Sequence, residues 1–134
     1  MVTRRVAIGS AGALLAQVLA AQNSGGTAKR VFTHDLPDVS LKDWSVTAVE
    51  VSYGPGEKSA AHRHPGITIA YVLEGEIRSK VGDGPETTYT AGQVFLETPG
   101  QLHGVSANAS TTRPAKLLAV LLAEKGKQLT TPAQ

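Results

Sequence analysis

The sequence predicts an all-β domain, a sandwich or barrel of short strands. Two observations carry that prediction. Apolar runs rich in β-branched residues recur from Val46 onward, and each is only three to eight residues long. Turn signals separate them at short intervals: Gly54-Pro55-Gly56, Pro65-Gly66, Gly75, Gly82-Asp83-Gly84-Pro85, Gly92 and Pro99-Gly100. A chain of 134 residues without cysteine is one domain's worth. It is long enough to bury a core without disulfides.

Taken in order, residues 1–20 read as an export signal. Thr3-Arg4-Arg5 is a short positive region, Val6 to Ala21 follows without charge, and Val18-Leu19-Ala20 fits a small-residue cleavage site. Thr-Arg-Arg-Val-Ala-Ile also resembles a twin-arginine signal. Gly9, Ser10, Gly12 and Gln17 interrupt the apolar stretch and argue against a permanent membrane span. The protein is therefore expected outside the cytoplasm, periplasmic or secreted. Residues 21–44 form a linker and N-terminal arm, opening with the flexible Asn23–Thr27. His34, between Thr33 and Asp35 in this arm, reads as a surface residue.

Strands are expected at Val46–Tyr53, Ile67–Leu73, Ile77–Val81, Thr87–Thr90, Val94–Leu96 and Leu117–Leu122. Gly82-Asp83-Gly84-Pro85 joins the third and fourth as a hairpin. The last run has helical propensity as well, but a closing strand suits the architecture. The domain spans residues 45–123, and 124–134 is a polar, fraying tail. Trp44 is the aromatic best placed for an exposed platform, although core packing is the usual fate of Trp and Tyr.

Charge and composition exclude several function classes. Lys and Arg number 13 against 11 Asp and Glu, and two of the basic residues are Arg4 and Arg5 of the leader. The remainder is balanced and free of basic runs, so no nucleic-acid partner is expected. Without cysteine there is no thiolate metal site.

Chemistry concentrates in histidine. His62 and His64 are two apart, which puts both imidazoles on one face of an extended segment, with Thr68 in the same phase. His103 follows the Pro99-Gly100 turn and can close a site once the sheet folds. Three of the chain's four histidines fall in this pattern, which makes His62, His64 and His103 candidate ligands of one metal ion. Glu97 lies on the strand entering the same turn. It is the candidate catalytic residue, as an outer ligand, an acceptor fixing an imidazole, or a general base. Arg63, between the two histidines, points outward and is expected in a surface ion pair.

These residues carry a family resemblance. Gly56, His62, His64, Thr68 and Gly75 resemble the first cupin motif, and Gly92, Pro99, Gly100 and His103 resemble the second. The likeness covers residues 45–123 and is to small, single-domain secreted cupins of the quercetin-dioxygenase-like kind. It implies a double-stranded β-helix, a jelly-roll cupin barrel, with one transition-metal ion inside and a homodimeric assembly. Three departures stand out. The family's glutamate ligand is replaced by Thr68, its proline is displaced to Pro99, and its terminal asparagine position is Ala107, with Asn108 one step late.

A three-histidine site without carboxylate ranks copper first, ahead of iron, zinc, nickel or manganese. That leads to an expected exported oxidoreductase acting with dioxygen or peroxide on a small molecule or a polysaccharide, as in copper-dependent cupins that cleave cellulose oxidatively. The alternatives are a non-redox cupin, such as a sugar lyase or isomerase with a Lewis-acid metal, or a non-catalytic module that binds a metal or small ligand.

Overall fold

The structure is a computed structural model that describes residues 25–134. The expected export signal lies outside the described residues. The body Val31–Gln134 is all-β. Its strands are β1 (Trp44–Tyr53), β2 (Lys58–Ser59), β3 (His62–Arg63), β4 (Ile67–Glu74), β5 (Glu76–Val81), β6 (Thr87–Thr90), β7 (Val94–Glu97), β8 (Leu102–Asn108), β9 (Ala115–Glu124) and β10 (Thr131–Pro132).

These strands form two antiparallel sheets. One is four-stranded in the order β1-β9-β4-β7; the other is six-stranded in the order β10-β3-β8-β5-β6, with β2 added beside β8. Side chains alternate between faces, as a strand's period of two requires. In β5, Ile77 and Ser79 are buried while Arg78 and Lys80 are exposed. Tyr53, Ala70, Val72, Ile77, Phe95, Ala115 and Leu117 form the core. Each large apolar member contributes roughly 1.5–3 kcal/mol by leaving water.

The expected closed barrel is not what forms. Among the described residues each sheet keeps two free edges, β1 and β7 in the first and β10 and β6 in the second, and no ladder joins one sheet to the other. Closure needs a continuous staggered ladder. Here the chain changes sheets at corners instead. At the corner from β3 to β4, a Cβ on Gly66 would lie 1.8 Å from the Leu122 carbonyl oxygen. At the corner from β4 to β5, Gly75 has a φ of 70°, and a Cβ there would meet the Pro114 carbonyl at 2.4 Å. Both positions need glycine so that the backbones can touch as the chain turns.

Two further expectations are corrected. The tail does not fray: Thr131 pairs with Arg63 and Pro132 with His62, and the Ala133 N–H donates to the Ala61 carbonyl. Its few apolar residues and free backbone groups find an open edge at β3, which polarity alone did not reveal. Arg63 makes no ion pair among the described residues. It donates to the Gly100 carbonyl at 2.8 Å and ties the turn before His103 to β3. Lys116–Glu124 is strand, not helix, because it is the central pairing partner of both β1 and β4.

Candidate metal centre

β3 and β8 pair with His62 directly opposite His103, so sheet register alone brings two imidazoles together. His64 follows two residues after His62, where the chain leaves the strand for the Pro65-Gly66 corner. The His62 ring centroid lies 4.8 Å from that of His64 and 5.0 Å from that of His103. Glu97 arrives from the other sheet, at the end of β7. One ligand atom from each of His62, His64, Glu97 and His103 lies within 4.8 Å of all the others. A single ion can be held by such a set.

Each imidazole is oriented by its far nitrogen. The Nδ1–H of His62 donates to the Ala60 carbonyl at 2.7 Å, and that of His64 donates to the Leu129 carbonyl at 2.7 Å. Both rings therefore present Nε2 to the centre. His103 is turned the other way, with its Nε2 2.8 Å from Ser79 Oγ and its Nδ1 facing inward. Such partners set ring orientation and ligand basicity in metal sites.

Glu97 is 2% exposed, which rules out a solvated strand-end carboxylate. Its Oε1 lies 3.2 Å from His103 Nδ1, and its Oε2 lies 3.7 Å from His64 Nε2. Yet Glu97 Oε1 and His103 Nδ1 make no hydrogen bond, and neither does Thr68 Oγ1 beside them. Buried polar atoms are rarely left unpaired. Lone pairs of a carboxylate and an imidazole, converging without a shared proton, are what a cation requires. Burial lowers the His62 pKa below 6.5, outweighing the hydrogen bond to Ala60, and the neighbouring His103 and His64 add to the lowering. The neutral ring is the ligating form.

The missing glutamate of the first motif has a structural explanation. Thr68 on β4 and Glu97 on β7 are Cα partners. The carboxylate absent from one strand stands directly across on the next. The displaced asparagine has one too. Between Lys80 and Val81 the β5–β8 register shifts, with Lys80 opposite Val105 and Val81 opposite His103, so Gly104 is an extra residue in β8. This bulge delays the asparagine by one position. Asn108 is buried and donates to the Gly54 and Arg113 carbonyls.

All four candidate residues thus meet, and Thr68 sits among them. His34 is exposed and apart, with its Nδ1 on the Asp35 carbonyl. Trp44 is half-buried at the start of β1 rather than a free platform. Sequence reasoning missed Ser79 and the Leu129 carbonyl. Ser79 left a signal, a polar residue in the inward phase of β5. Leu129 left none, because its role depends on where the tail docks.

Comparison with known proteins settles the family. Residues 49–121 match the Cupin domain family. The chain belongs to the cupins. No curated protein matches the sequence. Among solved structures, this cupin is similar to an uncharacterised protein with a double-stranded β-helix domain from Klebsiella pneumoniae, at 27% identity, covering 66% of this chain and 75% of that one with a TM-score of 0.55. It also resembles a DMSP lyase from Ruegeria pomeroyi, at 20% identity over 66% of this chain and 43% of that one, TM-score 0.58. A salicylate 1,2-dioxygenase from Pseudaminobacter salicylatoxidans is similar at 25% identity over 57% of this chain and 21% of that one, TM-score 0.50. Solved structures similar in fold to this cupin thus carry names from both redox and non-redox chemistry. Among the described residues, no helix is long and apolar enough to cross a membrane.

Proposed function

We propose that this cupin is a metal-dependent enzyme of the non-redox type, in which one transition-metal ion acts as a Lewis acid on an oxygen-bearing small molecule. The observation that supports it is the convergence of three imidazoles and one carboxylate within 4.8 Å, at one end of a cavity. A metal ion there supplies polarisation of a carbonyl or carboxylate oxygen. His62, His64 and His103 would hold it through nitrogen. Glu97 adds a negative charge that offsets part of the ion's own, and is the residue nearest to hand for managing a proton.

The ranking of copper first rested on a site without carboxylate. With Glu97 in the cluster the donor set is mixed nitrogen and oxygen, which suits zinc, iron, manganese or nickel as well. An oxidative copper enzyme and a cellulose substrate lose their support with it. The lyase resemblance agrees with the non-redox reading. A dioxygenase reading is second, favoured by the 25% identity to the salicylate enzyme.

Metal analysis with a redox assay tests this. We expect one ion per chain and no oxygen uptake with ascorbate. Rapid oxygen consumption by the loaded protein overturns the non-redox reading in favour of the second. Full metal stoichiometry in His62→Ala or His103→Ala removes the site itself. Export and homodimerisation are part of the proposal, supported by the composition of residues 1–20 and by the family resemblance respectively. N-terminal sequencing of protein recovered outside the cytoplasm, starting at Ala21 or Gln22, checks the first. Light scattering checks the second.

A further inference from the structure

The metal cluster occupies one end of a cavity of about 560 Å³. The rest of the wall decides what can enter. No Lys or Arg lines it, and its only acidic group is Glu97, already in the cluster. Its body is aliphatic and aromatic, with Val51, Ala70, Phe95, Leu117, Ala119 and Leu121 facing in. An anion lying away from the metal end would lose its hydration without gaining a countercharge. A polyol would bury more hydroxyls along this apolar body than the few polar side chains of the wall can bond. Both losses are large in an apolar setting.

Besides Gln128 and Thr130 of the tail, a group of three hydroxyls stands apart from the cluster. Tyr53 Oη lies 2.6 Å from Ser59 Oγ and 2.9 Å from Ser106 Oγ. The two serines face each other across β2 and β8, and Tyr53 reaches them from β1 of the other sheet. Three hydroxyls carry three protons, and two contacts use two of them. Whichever way the chain of hydroxyls runs, one O–H is left over from these two contacts, on a group that lines the cavity. The Gly104 bulge lets this group share the cavity with His103. Ser106 is three residues further along β8 and has the opposite parity, and the extra residue restores its phase. Ser106 and His103 stand opposite Ser79 and Val81 of β5, so the two polar ends are about 7 Å apart along the strand.

We propose that the cavity takes a small molecule with a neutral, chiefly hydrocarbon body, gripped by a chelating oxygen group at the His62–His64–His103–Glu97 end and by a hydrogen-bond acceptor at the Tyr53–Ser59–Ser106 end. This rests on the metal reading above and narrows its substrate class: compact apolar compounds with oxygen at both ends, not sugars, sugar acids or short dicarboxylates.

Calorimetric titration of the zinc-loaded full chain tests it, with zinc content measured first on the same sample. Acetohydroxamic acid probes the metal grip alone, para-ethylbenzohydroxamic acid adds an apolar body, and para-methoxybenzohydroxamic acid adds an acceptor of the same shape. Glucuronic acid and oxalate are the polar competitors. We expect the para-ethyl compound to bind at least tenfold tighter than acetohydroxamate. The para-methoxy compound should bind several-fold tighter again, and the difference between the two should vanish in Tyr53→Phe/Ser59→Ala/Ser106→Ala. Failure to take up zinc overturns the metal reading and the chelating half of this proposal with it. In zinc-loaded protein, glucuronate or oxalate binding as tightly as the aryl hydroxamates, or no gain from the aryl body, overturns the substrate class while the metal reading stands. Equal binding of the para-ethyl and para-methoxy compounds to the wild type overturns the hydroxyl end, without recourse to the triple variant.

Discussion

Exchanging Thr68 and Glu97 tests whether a ligand has moved from one strand to the next. The two residues are Cα partners on β4 and β7, so their Cβ atoms stand about 4.5–5.5 Å apart on one face. Both are buried, at 1% and 2% exposure. Glu97→Thr removes the one carboxylate of the cluster. Loss of an outer-shell partner alone typically costs 10–100-fold in metal affinity, so loss of a direct ligand should cost at least about 100-fold, or ~2.8 kcal/mol. The double variant Thr68→Glu/Glu97→Thr returns a carboxylate to the same face from the opposite strand and conserves the pair's total volume, which cores tolerate best. It should recover affinity to within about tenfold of the wild type. Zinc affinity by chelator competition reads both, with circular dichroism confirming that each variant is folded. If Glu97→Thr binds zinc as tightly as the wild type, Glu97 is no ligand. If the folded double variant binds no better than Glu97→Thr, the two positions are not equivalent and the exchange across the strands is wrong.

Other expectations follow from neighbouring features. Thr68→Val removes a buried hydroxyl that no protein group satisfies and replaces it with a nearly isosteric strand former. Metal-free protein should gain about 1–2 kcal/mol, seen as a Tm higher by roughly 4–10 °C, and an unchanged or lower Tm would show the hydroxyl to be satisfied. Deleting residues 128–134 removes the Leu129 carbonyl that holds His64 and the β10 pairing with β3. Zinc affinity should fall about 10–100-fold, and affinity equal to that of the full chain would make the tail irrelevant to the site. The pKa of His62 is lowered in the fold, first by burial. As pH falls through 6.5 the unfolded chain therefore takes up a proton that the folded chain refuses, and the metal-free protein loses stability until the folded pKa is passed. Denaturant titrations of the wild type and His62→Ala across that window should diverge, and parallel curves would assign the loss elsewhere.

Strand existence was legible because the signal is local. β-branched runs between glycine-containing turns placed β1, β4, β5, β6, β7 and β9 close to where they form. β2, β3 and β10 are two residues each, too short to show a period of two, and they exist only because β8 offers an edge to β2 and β3, and β3 in turn to β10. β8 itself was obscured by Gly104, which breaks the alternation at the bulge. The three histidines were legible as a set because their spacing is a ligand spacing. Glu97 was legible as a neighbour and not as a member. Membership depends on which residue of β7 faces Thr68, a register that no local pattern encodes. The open sandwich was hidden for the same reason, since whether two sheet edges meet is decided by corner geometry at Gly66 and Gly75.

That openness gives the metal centre a second consequence. His62 and His103 belong to the six-stranded sheet, whereas Glu97 belongs to the four-stranded one, and no ladder joins the two. An ion held by all of them is a cross-link between sheets that are otherwise joined by the apolar core and by hydrogen bonds such as those of Tyr53 to Ser59 and Ser106. Binding to the folded state alone stabilises it by about 4.1 kcal/mol at a thousandfold excess over Kd, and here that stabilisation has a location. Amide exchange should slow on loading in β7 and in its neighbour β4, as well as around β3 and β8. In Glu97→Gln, with zinc raised to the same saturation, the slowing should persist in β3 and β8 and fade in β7. A carboxylate bound to the ion transmits the constraint, whereas one merely near it does not. Protection confined to the six-stranded sheet in the wild type would mean that Glu97 stands beside the ion without gripping it, and that the ion does not tie the sheets together.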